Sequence, residues 1–153
     1  MKCDSVTPDL FIGRAPTEPE GFEQLRAMKI TAILSLQTAE DVGPGQLYRR
    51  RNAATKAGLS FHNVPVTDFD RADLQLKLPD CVAELDRLVK GGETVFLHCT
   101  AGVSRSPTVA AAFLHWKLGW GLDQALAHVQ SVRACCPDGE TIRNCEGPQD
   151  VGK

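Results

Sequence analysis

The stretch 95–106, V-F-L-H-C-T-A-G-V-S-R-S, restricts the possible fold more than any other part of the chain. An apolar run ending in a cysteine reads as a buried strand. Five residues then separate Cys99 from Arg105, and Ser106 and Pro107 open an apolar stretch where a first helical turn tolerates a missing N–H. Strands alternating with helices along the chain, then a helical C-terminal cluster, imply a central, mostly parallel sheet covered on both faces, with this loop at the carboxyl end of a strand, where such sheets bind ligands. The loop residues Thr100, Ala101, Gly102, Val103 and Ser104 are small or modest, so their backbone N–H groups can converge on one point. The helix starting near Arg105 adds its own unpaired donors and dipole. The result is an anion cradle, and residues 100–105 are its predicted phosphate-binding positions. Its positive field favours the thiolate form of Cys99, which is the nucleophilic form. Arg105 supplies a planar fork that grips two oxygens of a tetrahedral oxyanion, which a lysine cannot do. A cysteine ending a strand is ordinarily a small core residue, and an arginine at a helix start ordinarily faces solvent. It is the combination that points to chemistry.

These residues carry a resemblance. H-C-T-A-G-V-S-R-S resembles the signature of the cysteine-dependent phosphatases, His-Cys, five residues, Arg, then Ser or Thr, and its A-G-V-S-R-S form resembles the dual-specificity branch. D-F-D-R-A-D-L-Q-L-K-L-P from Asp68, L-H-W-K-L-G-W at 114–120 and the late R-A-C-C-P-D-G-E-T-I-R are similar to the glucan phosphatases, the laforin-like and plant starch-phosphatase group. The resemblance implies an α/β fold with a central, mostly parallel sheet flanked by helices. It also implies phosphate-monoester hydrolysis through a phosphocysteine, without a cofactor, on phosphoglucan or on phosphorylated protein. Two positions depart from the glucan pattern: Ser104 stands where that group usually carries Gly, as in protein-directed enzymes, and Cys136 replaces an aromatic of the late motif. Tyr48 is the only aromatic between residues 39 and 60.

A leaving alkoxide needs a proton, so a carboxyl group on a separate loop must approach the cradle. Asp68, Asp70 and Asp73 all qualify by position, and chemistry does not choose among them. The resemblance assigns the acid to Asp68, and gives Phe69 a place in a channel that holds a sugar chain. Asp73, ahead of Leu74 and Leu76, reads as a helix cap, while Asp70 is the next candidate acid after Asp68 and could equally be a solvated turn residue. Ser106 can hydrogen-bond the sulfur and ease departure of the phosphoryl group, or cap the helix. His98 alternates with Cys99 across the strand, so it is expected to point away from the phosphate and to bond the local backbone. His115 and His128 are helical with nothing to place them at the site, and Trp116 and Trp120 read as core.

The length of 153 residues, 42% of them hydrophobic, suits one core, so residues 1–153 are expected to form a single catalytic domain. A formal net charge of −2 argues against a nucleic-acid binder driven by bulk electrostatics. No run approaches the ~18 apolar residues of a membrane span, and M-K-C-D-S-V-T-P-D lacks the apolar centre of a signal peptide. A soluble, cytoplasmic monomer is therefore expected. Cys3, Cys81, Cys99, Cys135, Cys136 and Cys145 fit a reducing compartment better than a disulfide framework, and none forms a C-x-x-C pair. No metal is predicted.

Hydrophobic periodicity predicts strands at 10–13, 30–36, 59–66 and 95–98. Helices are predicted at 18–29, 79–90, 107–118, 122–135 and 140–147, with Gly91-Gly92 stopping the second. Competing classes fit less well. A binding module has no need of both Cys99 and Arg105, arsenate reductases carry the cysteine loop near the N-terminus, and a sulfurtransferase has no need of Asp68. A phosphoinositide substrate is the least favoured of the phosphatase readings.

Overall fold

Strand 95–98 was expected to be buried and to lead into the signature loop, and it forms the middle of the sheet. In the computed structural model, which describes residues 2–148, the strands are β1 (Cys3–Thr7), β2 (Leu10–Gly13), β3 (Ala32–Ser35), β4 (Ser60–Asn63) and β5 (Val95–His98). Their order is β1-β2-β5-β3-β4. β5 runs parallel to β2 and β3, β3 runs parallel to β4, and β1 pairs antiparallel with β2. The outermost residues of the expected 1–153 domain, residue 1 and residues 149–153, lie outside the described residues.

The helices are α1 (Pro19–Ala27), α2 (Ala39–Val42), α3 (Gln46–Lys56), α4 (Arg71–Lys90), α5 (Arg105–Trp116), α6 (Leu122–Val132) and α7 (Gly139–Arg143). Strand alternation divides the apolar residues between the two faces. Phe96 and Ile33 pack with Phe22 and Leu25 of α1 and Ala54 of α3. Val95, Leu97 and Cys99 pack on the other side with Leu34, with α4 and with α5. Each fully buried Leu, Ile or Phe contributes about 1.5–3 kcal/mol by leaving water. In α5, Ala110, Ala111 and Ala112 are all buried, so the helix that follows the loop is enclosed on almost every side. Trp116 and Trp120 pack against this core, as expected.

Several sequence expectations are corrected. β1 was not predicted: only Val6 of its five residues is buried, so an edge strand shows no apolar alternation. α2 and α3 were not predicted either. α3 buries only Ala54 and its polar residues mask any apolar stripe, while α2 begins with a capping box between Thr38 and Asp41. α4 begins at Arg71, not at 79, with Pro79 inside it. Proline leaves the Gln75 carbonyl without its helical donor, and the Cys145 thiol lies 3.5 Å from that oxygen. The cap of α4 is Asp70, which accepts the Asp73 N–H at 3.0 Å. Asp73 instead accepts the Thr67 N–H at 2.7 Å and pairs with Lys77. Boundaries also shift: β3 and β4 are shorter than 30–36 and 59–66, α6 stops before 135, and α7 ends at Arg143 rather than 147.

Candidate active site

The carboxyl ends of β2, β3, β4 and β5 share one edge of the sheet, and the loop 99–104 rises from its centre. Every carbonyl of that loop is held from outside. The Cys99 oxygen meets His98 Nδ1 at 2.8 Å. The Thr100 oxygen accepts the Ala15 N–H at 3.0 Å, and the Val103 oxygen accepts the Cys136 N–H at 2.7 Å. Arg133 donates to the Ala101 oxygen through Nη2 at 2.8 Å and to the Gly102 oxygen through Nε at 2.9 Å. The Ser104 oxygen accepts the Thr108 N–H at 3.0 Å, the first turn of α5. In a trans peptide the C=O and the next N–H point in opposite directions. Holding six carbonyls outward therefore turns the N–H groups of residues 100–105 inward, into the concavity expected of an anion cradle. Gly102 sits at φ +73°, where a Cβ would lie 2.7 Å from the Gly13 oxygen, so no other residue fits this turn.

Cys99 lies at the base of the loop, 3% exposed, with its Sγ 3.3 Å from Ser106 Oγ. Ser106 is the second residue of α5; the helix cap position belongs to Ser104, so the capping alternative for Ser106 does not hold. His98 is 1% exposed, stacks on Phe96 and lies on the opposite face from Cys99. Burial and the nearby Arg50 and Arg105 charges push its pKa down to about 4, against a raising effect of the bond to the Cys99 backbone, so the imidazole is neutral. His115 and His128 bond the Trp120 and Val6 carbonyls, away from the loop.

Arg105 is 3% exposed and almost fully committed. Its Nη1 donates to Asp41 Oδ2 at 2.7 Å and to the Val66 oxygen at 2.8 Å. Its Nη2 donates to Thr100 Oγ1 at 3.2 Å and pairs with Asp68 Oδ2 at 3.3 Å. Its Nε, alone among buried side-chain nitrogens and oxygens of the described residues, has no partner. An orphan buried donor costs about 1–3 kcal/mol. This Nε lies at the start of α5, where an oxyanion seated among the converging N–H groups would supply the missing acceptor.

Nothing local in the sequence marks Asp41 as a partner of Arg105. Burial pushes its carboxyl up, but hydrogen bonds from Arg105 and from the Thr38 backbone, together with the Arg105 charge, outweigh that and hold it below the ordinary carboxylate range. Gln37 was missed as well: its Nε2 donates to Thr100 Oγ1 at 3.0 Å while Arg50 holds its Oε1 at 2.8 Å. Arg133 lies in a motif noted for its resemblance, yet its hold on the loop has no local sequence signal. The T-A-E-D capping box could have revealed the start of α2, but not what Asp41 reaches across 64 residues of chain.

Of the three candidate acids, Asp68 is the one that pairs with Arg105, at 3.3 Å, although Asp70 lines the same cleft. Asp70 caps α4 and Asp73 anchors Thr67, whose N–H bond is the main cause of the low Asp73 pKa. Asp68, Phe69, Ser104 and Arg105 line a cleft of about 210 Å³. Its far wall is Asp138, which Arg71 bridges at 2.8 Å. Phe69 is fully exposed, at φ +57°. A larger cavity of about 510 Å³ lies on the other flank of the loop, beside Arg14 and Arg133, away from Cys99.

No three His, Cys, Asp or Glu side chains gather for a metal among the described residues. All six cysteines are free thiols. Burial pushes Cys81 up to about 12, and also raises Cys3, Cys135 and Cys145.

Residues 10–143 match the family described as dual specificity phosphatase, catalytic domain. The chain belongs to that family. Over 93% of its length this phosphatase domain is 33% identical to the chloroplastic phosphoglucan phosphatase LSF1 of Arabidopsis thaliana, covering 24% of that protein. Over 91% it is 32% identical to the amyloplastic phosphoglucan phosphatase DSP4 of Castanea sativa, covering 38%. The domain thus spans well under half the length of these relatives. The crystal structure of Tk-PTP in its active form superposes with a TM-score of 0.76 at 22% identity, over 93% of this chain and 91% of that one, which establishes the shared fold.

Proposed function

We propose that this domain hydrolyses phosphate monoesters through a phosphocysteine. The unpartnered Nε of Arg105, set at the rim of a ring of inward-facing N–H groups above the Cys99 sulfur, is the observation that carries the reading. A phosphate ester seated there offers acceptors to the N–H groups of residues 100–105 and to the arginine, and its phosphorus faces the thiolate. Sulfur attacks, the bond from phosphorus to the ester oxygen breaks, and Asp68 gives the leaving oxygen its proton. Asp68 then takes a proton from a water that attacks phosphorus. The P–S bond breaks, inorganic phosphate leaves, and Ser106 stabilises the departing sulfur by donating a hydrogen bond to it. Six free cysteines fit work in a reducing compartment such as the cytoplasm.

For substrate, we infer a phosphatase of dual-specificity type with activity toward phosphoglucan. A fully exposed Phe69 in left-handed backbone carries two costs, apolar exposure and an unfavourable φ; its N–H donates to Asp68 Oδ1 at 3.1 Å, which fixes the backbone and leaves the ring in solvent. Placed on the cleft rim one residue from Asp68, it offers a flat apolar face to the ring of a sugar. Ser104, which lines the cleft, and Cys136, which holds the loop at Val103, both depart from the glucan pattern and favour phosphotyrosine and phosphoserine or phosphothreonine proteins as the second reading. The cleft is small, about 210 Å³, which suits several ester types. Turnover of p-nitrophenyl phosphate by the wild type and by Cys99→Ser tests the chemistry: activity is expected to vanish while oxyanion binding survives. Steady-state turnover by Cys99→Ser would overturn it. Comparing solubilised phosphoglucan with phosphotyrosine, phosphothreonine and phosphoinositide substrates then ranks the readings.

A further inference from the structure

Arg133 follows α6 in extended backbone and is too deeply set to serve as a surface cation, its side chain being only 13% exposed. Each of its three nitrogens has a partner. Two parallel bonds reach successive loop carbonyls, Ala101 at 2.8 Å and Gly102 at 2.9 Å, and Nη1 pairs with Asp4 Oδ2 of β1 at 3.1 Å. Asp4 is itself only 16% exposed and is fixed in register opposite Ile12 of β2. The guanidinium is therefore a planar bracket. One edge rests on the sheet through Asp4, and the other fixes the two peptide planes that carry the Gly102 and Val103 N–H groups. Gly102 allows that approach: a Cβ there would lie 2.8 Å from Arg133 Nη2. The Cys136 N–H, three residues on, fixes the next carbonyl, at Val103.

We propose that Arg133, braced by Asp4, is a positioning residue of the phosphate cradle that acts through the loop peptides without touching substrate. This rests on the phosphatase reading above, because it assigns a purpose to the cradle geometry. A planar fork is required. A lysine offers one point donor, cannot hold two carbonyls in fixed relative orientation, and leaves one of them unsatisfied.

The test is the affinity of the folded protein for tungstate, a compact oxyanion that fits the cradle and is too small to reach Arg133, measured by calorimetry beside p-nitrophenyl phosphate kinetics. Displacing catalytic dipoles by about an ångström from outside the site typically costs about 10²-fold. Arg133→Ala is therefore expected to lose about 10–100-fold in tungstate affinity and in kcat, with a near-native melting temperature, and Arg133→Lys to recover little. Asp4→Asn should lose a few-fold, and nothing further once Arg133 is gone, since the two act as one unit. If Arg133→Ala proves unstable, the Asp4→Asn and Arg133→Lys affinities decide in its place. Wild-type tungstate affinity in these variants, with losses confined to substrates that carry a second anionic group, overturns the proposal and makes Arg133 a substrate contact. A wild type that binds tungstate but hydrolyses no phosphate ester refutes the phosphatase reading alone, and the affinity comparison still judges the bracket.

Discussion

Two loops face each other across the cleft. Each carbonyl of 99–104 is hydrogen-bonded from behind, and the arginine that follows is almost completely buried. Across from it, Asp68 is 32% exposed and Phe69 projects fully into solvent. The difference follows the division of labour in phosphoryl transfer. Charge spread over the phosphoryl oxygens is stabilised by dipoles already oriented before reaction, so the cradle has to be rigid. A proton donor needs only to reach the leaving oxygen, and a loop that also reads the substrate benefits from being open.

Breaking the rigid side should cost most. Arg105→Lys removes the orphan Nε and the fork together, and one preorganised donor is worth about 10²–10³-fold. Losing two predicts a fall in kcat/KM on p-nitrophenyl phosphate of about 10⁴-fold, with oxyanion affinity falling too. Asp41→Asn keeps shape but removes the charge that neutralises Arg105, and should give a smaller loss of the same kind. If Arg105→Lys keeps wild-type phosphate affinity, the cradle works through its backbone alone.

On the open side, Asp68→Asn should slow alkyl phosphates by about 10²–10⁴-fold. Aryl esters with good leaving groups need little protonation and should be slowed far less. Asp70→Asn should be mild, since asparagine also caps a helix. The reverse ranking of the two variants would make Asp70 the acid.

What the sequence revealed about this site divides along the same line. The cradle is legible because its parts are contiguous: Cys99, five loop residues, Arg105 and the start of α5 fall within one short stretch, and each residue type has a local reason. The central strand and the position of His98 follow from alternation. The supports were not legible, because Gln37 and Arg133 reach the loop, Asp41 reaches Arg105 and Asp4 reaches Arg133 from distant segments with no periodic signal. The three aspartates were indistinguishable for a related reason. Which one caps α4 depends on where the helix begins, and Pro79 suggested a start eight residues too late, since nothing local shows that Cys145 comes to meet the Gln75 carbonyl.

His98 tests the rigid side by pH. Its pKa is about 4 in the fold against 6.5 for the free side chain. Between those values the unfolded chain binds a proton that the native state refuses. Stability is therefore fully present above pH 6.5 and declines as pH falls toward 4, by about 3 kcal/mol at 1.36 kcal/mol per unit. Urea unfolding at pH 7 and pH 4.5 should show this decline in wild type and lose most of it in His98→Asn. Equal slopes in the two proteins would mean that the imidazole is protonated in the fold.

The smallest effect belongs to Phe69, and it decides the substrate. Its side chain touches no core, so Phe69→Ala should leave the melting temperature and p-nitrophenyl phosphate turnover within about two-fold of wild type, as for other exposed substitutions. An aromatic contact is worth about 0.5–1.5 kcal/mol, so loss of stacking on a sugar ring predicts a roughly 2–12-fold fall in kcat/KM on solubilised phosphoglucan. Phe69→Gly separates the ring from the backbone. Glycine accepts φ +57° without strain, so it should match alanine on phosphoglucan if the ring is what matters. If glycine instead retains activity that alanine loses, the loop conformation matters and the ring does not. Equal losses on phosphoglucan and the aryl ester would remove the residue-level reason for a sugar substrate, and the protein phosphatase reading would then be the better one.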